Sequence, residues 1–248
     1  MIQYTPLEII HLGSIPIQTW GLLVALGFLV GTLFSYFRAK KANINPDHIL
    51  NLAFWSLLGG ILGSRLLFVF GDLKYFLENP LEIFSLWHGG MSIFGGVLLA
   101  ILFDLLYIKR KKLNFWQLAD LVSPGFALGL AIGRAGCFLI HDHIGKVMQK
   151  PYFWGINYFG EIRHEVALYL ILSNFLLFLV LLALPRYIRK EGLLFLIFLL
   201  WYSIARFFID SLRDFEVRYY DLMISQWIAI VIVVLVVVCF LKNRLKKI

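Results

Sequence analysis

Three arginines, Arg65, Arg134 and Arg206, stand inside long apolar stretches that otherwise avoid charge, the second of them in GLAIGRAGCFLI at 129–140. A guanidinium is a permanent planar cation whose forked N–H groups match phosphate or carboxylate oxygens two at a time. In hydrocarbon such a charge costs about 3 kcal/mol or more unless it is paired or hydrated, so an intramembrane arginine marks a site. For any one of them a structural ion pair, or snorkelling to the interface, is as good a reading as function. Three at matched depth would need three acids. Asp210, four residues after Arg206, shares its helix face and can pair with it. Arg65 and Arg134 have no acid within a turn of their own helices. An anion supplied by the membrane would satisfy them, and phosphate suits the fork, so the pattern points to a phospholipid headgroup.

Arg134 runs on into His141-Asp142-His143, with His164 further along. Together the histidines could suggest a metal. Alternate residues do not share a helix face, however, and no thiol or ligand pair at helical spacing joins them, so no metal is expected. Cys137 and Cys239 fall in different apolar runs and form neither a disulfide nor a zinc pattern; Cys137 reads as a small packing residue. Glycines crowd the arginines: Gly59, Gly60 and Gly63 before Arg65, Gly129, Gly133 and Gly136 around Arg134, and Gly89, Gly90, Gly95 and Gly96 in between. Small residues let helix backbones approach closely or admit a ligand to the backbone.

The elements that carry these groups are apolar helices. The 248 residues are 60% hydrophobic and 15% charged, against about 45–50% and about 25% in soluble domains. Seven spans are expected, at 16–37, 49–70, 90–108, 117–140, 166–184, 193–212 and 226–241, the fourth interrupted by Pro124 and glycines. The first is long, lacks a basic segment before it and is followed by RAKKA, so it does not read as a cleaved signal. Fourteen basic residues follow alternate spans: Arg38, Lys40, Lys41, the KRKK of 109–112, Arg186, Arg189, Lys190, Lys242, Arg244, Lys246 and Lys247. Six lie opposite: Lys74, Lys146, Lys150, Arg163, Arg213 and Arg218. The positive-inside rule then puts the amino terminus outside and the carboxyl terminus in the cytoplasm. The net charge of +8 is a topology signal, not a nucleic-acid footprint. The expected fold is an all-α integral membrane protein, one polytopic domain over 1–248 with a short outside loop at 141–165.

Several stretches together, in this order, resemble the bacterial prolipoprotein diacylglyceryl transferases: GSR (63–65), HGGMSIFGG (88–96), GRAGCFLIHDHIG (133–145), RHEVALY (163–169) and YSIARFFIDSLRD (202–214). The resemblance implies a multi-pass protein of the bacterial cytoplasmic (inner) membrane that needs no cofactor. It implies transfer of the diacylglyceryl group of phosphatidylglycerol to the lipobox cysteine thiol of a preprolipoprotein, with release of glycerol 1-phosphate. On that likeness Arg134 binds the phosphate, Arg206 is a second essential arginine with Arg65 in support, and Tyr202 lies one turn before Arg206. Gly133, Gly136 and Gly145 belong to the signature and Gly95 and Gly96 to the preceding motif. This chain departs from the pattern at Phe94, where better-known members have histidine, and at Cys137 and Ile140, where they have asparagine. Asp142 replaces a glutamate. The thiol needs a base or a positive field; His141, Asp142, His143 and His164 are the candidates, and His88 reads as a turn residue. The alternative is an arginine-lined membrane protein that binds or transports a phospholipid without reacting.

The charge split yields a direct test. Cysteines introduced at Asn79 and Gln149 should react with an impermeant thiol reagent in intact cells, and one at Asn243 should not. Labelling at Asn243 alone would reverse the orientation.

Overall fold

The computed structural model describes residues 1–85, 89–150, 152–186, 190–214 and 217–245; His88, Arg189, Lys246 and Lys247 lie outside these. In chain order come β1 (Ile2–Gln3), β2 (Ile9–Leu12), β3 (Ile15–Gln18), α1 (Thr19–Lys41), α2 (Asp47–Gly71), α3 (Leu73–Glu78), α4 (Ile93–Arg110) and α5 (Phe115–Ile140). They are followed by β4 (Ile144–Val147), β5 (Ile156–Tyr158), β6 (Glu161–Glu165), α6 (Val166–Ala183), α7 (Leu193–Asp210) and α8 (Ile224–Leu245). Six helices among the described residues, α1, α2, α5, α6, α7 and α8, are long and apolar enough to cross a membrane. The expected third span starts later than 90, at Ile93, and carries Asp104, Lys109 and Arg110 within its 18 residues. Two departures concern strands. Residues 16–18 belong to the β2–β3 hairpin rather than to α1, and 141–165 contains three strands instead of an irregular loop.

The chain forms two compact units, 36–118 and 1–35 with 119–248. In the first, α2 and α4 cross where side chains are missing. A Cβ on Gly63 would overlap the Gly95 carbonyl oxygen, and one on Gly95 would overlap that of Gly63. Gly59 sits 2.8 Å, measured from an ideal Cβ, from the Ala100 backbone, and a Cβ on Gly96 would strike Ser64. This is small-residue helix packing of the membrane type. Polar pairs reinforce it: Ser56 Oγ donates to Asp104 Oδ2 at 2.6 Å, and His48 Nδ1 lies 2.9 Å from the Tyr107 hydroxyl.

In the second unit, Ala127 on α5, Leu177 and Leu181 on α6 and Leu194 and Phe198 on α7 form the apolar core. α1 crosses α5 through Gly27 against Gly129 and Gly31 against Gly125, again backbone to backbone. Pro124 removes one N–H from the middle of α5, yet the helix runs unbroken to Ile140. Spanning helices tolerate proline where neighbouring groups satisfy the freed carbonyl. The start of α7 is tied to α5 by Asp120, whose Oδ2 accepts from the Gly192 N–H at 2.6 Å and Oδ1 from the Phe195 N–H at 2.8 Å. A carboxylate there satisfies two of the donors every helix start leaves open and matches its positive pole. Gly192, at φ 82°, makes the left-handed turn that delivers its N–H.

Above α5 and α7 lies a four-stranded sheet in the order β1-β5-β6-β4. Phe159 and Gly160 both have positive φ and close the tight β5–β6 hairpin, in which Tyr158 faces Glu161. The segment after α7 joins the free edge of β4: Lys146 N–H donates to the Leu212 carbonyl at 2.8 Å, and Gly145 pairs with Arg213.

Replacing Asp120 by Ala strips the cap from α7. The expected loss is about 1–2 kcal/mol of stability, read as a lower thermal midpoint in detergent, with Asp120→Asn losing less. An unchanged midpoint for Asp120→Ala would remove the cap from the account.

Candidate functional site

Asp120 also sets the height of the arginines. Arg134 stands fourteen residues after Asp120 on α5, and Arg206 fourteen after Gly192 at the head of α7. At 1.5 Å per residue both climb about 21 Å from the same anchor. Arg206 feels the charges of both Arg134 and Arg213.

The three guanidiniums are unevenly satisfied. Arg206 Nε lies 2.8 Å from Oδ2 of Asp210, the partner its four-residue spacing predicts, and Asp210 is fully buried. The Ser225 hydroxyl donates to the same carboxylate oxygen at 2.6 Å. Arg206 Nη1 is buried with no hydrogen-bond partner among the described residues. Arg213 Nη1 is 3.9 Å from Asp210 Oδ1, an ion pair too long for a hydrogen bond. Arg134 Nη1 donates to Cys137 Sγ at 3.7 Å. Arg134, Arg206 and Arg213 gather here with the carboxylates of Asp142 and Asp210, and among the described residues one buried donor of Arg206 stays open. Tyr202, one turn before Arg206, stacks on Phe198 at 6.0 Å and acts electrostatically on Arg206.

Asp142 sits at the mouth of this group. Burial pushes its carboxyl above the usual carboxylate range, opposed by Arg134 and Arg213 and by a hydrogen bond from the Cys137 thiol. His143 is pulled down to about 4, first by burial and then by Arg213 and Arg134. Arg213 Nη2 lies 3.2 Å from His143 Nδ1, so that nitrogen accepts and the 3.4 Å approach of Asp142 Oδ1 to it is no hydrogen bond. Cys137, Asp142 and His143 bring three potential ligand atoms within 4.8 Å. Two guanidiniums aimed at the same atoms oppose a cation there, and His141 and His164 are engaged elsewhere. His141 Nδ1 lies 2.9 Å from Glu165 Oε2, and His164 Nδ1 lies 2.9 Å from the Tyr169 hydroxyl. Burial lowers both imidazoles and raises Glu165 to about 8.

Arg65 has its own occupation inside the unit of 36–118. Its Nε donates to the Ile83 carbonyl at 2.9 Å, Nη1 to Gly89 and Gly90 at 2.8 and 3.0 Å, and Nη2 to Glu82. Phe68 and Phe76 cover it at 5.6 and 5.4 Å. Every guanidinium nitrogen is thus bound to backbone carbonyl oxygen, from residues 82–83 on one side and 89–90 on the other. Phe94 stands in the first turn of α4 and is exposed.

The signature glycines divide by cause. A Cβ on Gly145 would lie 2.7 Å from His164 Cβ and 2.9 Å from the Leu212 carbonyl, because the β4 backbone is squeezed between β6 and the 212–214 segment. Gly136 is nearly as tight against Trp20 and Leu23, whereas Gly133 would meet Val24 only at 3.8 Å. Residue reasoning missed Arg213, Arg163 and Glu165. The two arginines were counted as loop charges, yet both are buried. Arg163 binds Glu161 Oε2 at 2.6 Å, Asp214 Oδ2 at 2.9 Å and the Gly145 carbonyl at 3.3 Å. Arg213 follows Arg206 and Asp210 by seven and three residues, a face-sharing spacing that could have flagged it.

A set of long apolar helices that carry arginines inward defines a multi-pass membrane protein. The family model described as prolipoprotein diacylglyceryl transferase matches residues 8–242. A phosphatidylglycerol–prolipoprotein diacylglyceryl transferase of Staphylococcus xylosus is 31% identical over 247 residues, 95% of this chain and 88% of that protein. Proteins of the same name from Listeria welshimeri and Bacillus mycoides are 30% and 31% identical, covering 96% and 95% of this chain and 89% and 91% of theirs. The chain belongs to the prolipoprotein diacylglyceryl transferase family.

Proposed function

We propose that this protein transfers the diacylglyceryl group of phosphatidylglycerol to the lipobox cysteine thiol of preprolipoproteins in the bacterial cytoplasmic membrane. The substrate sulfur attacks the terminal glyceryl carbon, the C–O bond to phosphate breaks with its electron pair going to oxygen, and glycerol 1-phosphate leaves. The observation that carries the reading is the buried Nη1 of Arg206, which has no hydrogen-bond partner among the described residues and sits beside Arg134 and Arg213. An oxyanion developing on the leaving phosphate is the charge such donors stabilise. Arg134 and Arg206 bind the phosphate, Arg213 adds to the field, and Tyr202 steadies Arg206. Arg65, with its donors spent on carbonyls, holds residues 82–83 and 89–90.

The thiol proton goes to Asp142. Asp142 already accepts a hydrogen bond from one thiol, that of Cys137, and the arginines keep its ionised form accessible. His141 and His164 are bound to Glu165 and Tyr169, and His143 accepts from Arg213.

The membrane topology consistent with this chemistry has seven crossings, with the amino terminus outside. The 18 residues of α4 make about 27 Å, close to the hydrocarbon thickness. Its Lys109 and Arg110 end it on the side of the other basic clusters, and Ser56 meets its Asp104.

The decisive assay is transfer of labelled diacylglyceryl from phosphatidylglycerol to a lipobox peptide by the purified protein. Thioether product is expected; binding of the lipid without product would leave a phospholipid-binding or transport protein instead. Lysine at 134 or 206 keeps the charge and loses the fork, so Arg134→Lys and Arg206→Lys should each cost about 10²-fold or more in kcat/KM, roughly 2.7 kcal/mol. Normal turnover by Arg134→Lys would sink the forked contact.

Asp142 works as a base only when ionised, so the rate should fall as pH drops through its raised pKa, at higher pH than an ordinary aspartate would give. Asp142→Asn should lose that acid limb along with most activity, and do more damage than His143→Gln or His164→Gln. An intact limb in Asp142→Asn would move the base elsewhere.

A further inference from the structure

The mechanism leaves unused the one fully buried acid–imidazole pair of the outer sheet among the described residues, Glu165 and His141. Glu165, at the end of β6, is wholly buried, and His141 is 6% exposed. Oε2 and Nδ1 approach to 2.9 Å, and the Ala167 backbone N–H also faces the Glu165 carboxyl. His141 has φ 51°, the left-handed region that a histidine seldom adopts, and it is the residue at which the chain leaves α5. Asp142 and His143 follow directly, and Ile144 then pairs with the Glu165 backbone. The residues that reach Arg134 and Arg213 therefore hang between two attachments to one residue, its main chain on one side and its carboxyl on the other.

We propose that Glu165 is a positioning residue of this site: its buried hydrogen bond to His141 fixes the left-handed turn that presents Asp142 to the arginines. The proposal rests on the function put forward above for Asp142. The groups facing the pair are the Tyr4 and Phe138 rings, each 5.6 Å from the imidazole, together with the Asp142 carboxylate and the Tyr169 hydroxyl. An apolar and partly anionic surrounding favours the neutral form of both partners. With Glu165 raised to about 8 and His141 lowered, the carboxyl carries the proton at neutral pH and donates to Nδ1. The imidazole proton is then on Nε2. Above about pH 8 the carboxylate can only accept, so the imidazole must turn over to its Nδ1–H tautomer to keep the bond.

Glutamine reproduces the neutral donor, since its amide N–H can replace the carboxyl O–H. Glu165→Gln should therefore keep kcat within about twofold of wild type. Glu165→Ala should lower kcat about tenfold or more with KM for phosphatidylglycerol unchanged, because the base is misplaced and the phosphate donors are not. Wild-type kcat in Glu165→Ala, or equal damage from Gln and Ala, would overturn the proposal. Histidine ring ¹⁵N spectra in lipid nanodiscs, with His141 assigned by its loss in His141→Gln, read the bond without any turnover. The wild type should show a neutral Nε2–H ring at pH 7 that converts to Nδ1–H above about pH 8, and Glu165→Gln should show Nε2–H at both. An imidazolium or an Nδ1–H ring at pH 7 would overturn it equally. If the wild type transfers nothing, the assigned function has failed, and the spectra still decide whether Glu165 holds His141 as described.

Discussion

A guanidinium in a low-dielectric interior must meet oxygen, and this protein answers that constraint in three ways. Around Arg65 the answer is backbone: a loop wraps its carbonyls about the cation until each nitrogen is engaged. For Arg206 it is the buried carboxylate of Asp210, itself steadied by Ser225. That answer is incomplete, because Nη1 has no hydrogen-bond partner among the described residues. Around Arg134 the oxygen is not supplied by the α5 helix at all, and a polarisable sulfur takes its place. The same residue type thus serves as architecture where its donors are exhausted and keeps a donor open where they are not. Completed valence, not depth in the membrane, separates the two.

The placing of Arg134, Arg206 and Arg213 depends on parts outside their own cluster. Asp120 starts α7 level with α5 by holding two N–H groups, and equal helical rise does the rest. At the far end of α7 the 212–214 segment zips onto β4, and Arg213 there meets His143. Arg163 clamps the same corner by binding both Asp214 and the Gly145 carbonyl. A small sheet on top of a helical bundle is therefore the device that converts two helix-borne arginines into a three-sided site.

Much of this was legible in the residues. Apolar runs gave the helices, and the two arginines of α5 and α7 stood out because charge is rare there. The i to i+4 spacing named the Arg206–Asp210 pair. The strands were not legible: 141–165 is short, mixed in polarity and rich in turn residues, and its pairing partners are the remote segments 2–3 and 212–214. Long-range pairing leaves no local period to read. Arg213, Arg163 and Glu165 escaped for the same reason, since burial in a loop is conferred by whatever folds over it. Arg65 stood out as plainly as the other two, but its partners did not, because they are backbone carbonyls, which every sequence possesses.

The glycine crossings bear on how such a protein tolerates change. Where α1 meets α5, and separately where α2 meets α4, the surfaces in contact are main chain, at Gly27, Gly129, Gly31 and Gly125 and at Gly63 and Gly95. Main chain is the same in every homologue, so these joints are indifferent to which apolar residues occupy the lipid-facing positions. A lineage can exchange Leu, Ile, Val and Phe over most of its exterior without moving a helix. Roughly seven residues in ten differ from the Staphylococcus xylosus protein, and a frame hinged on bare backbone is one that can absorb divergence of that size.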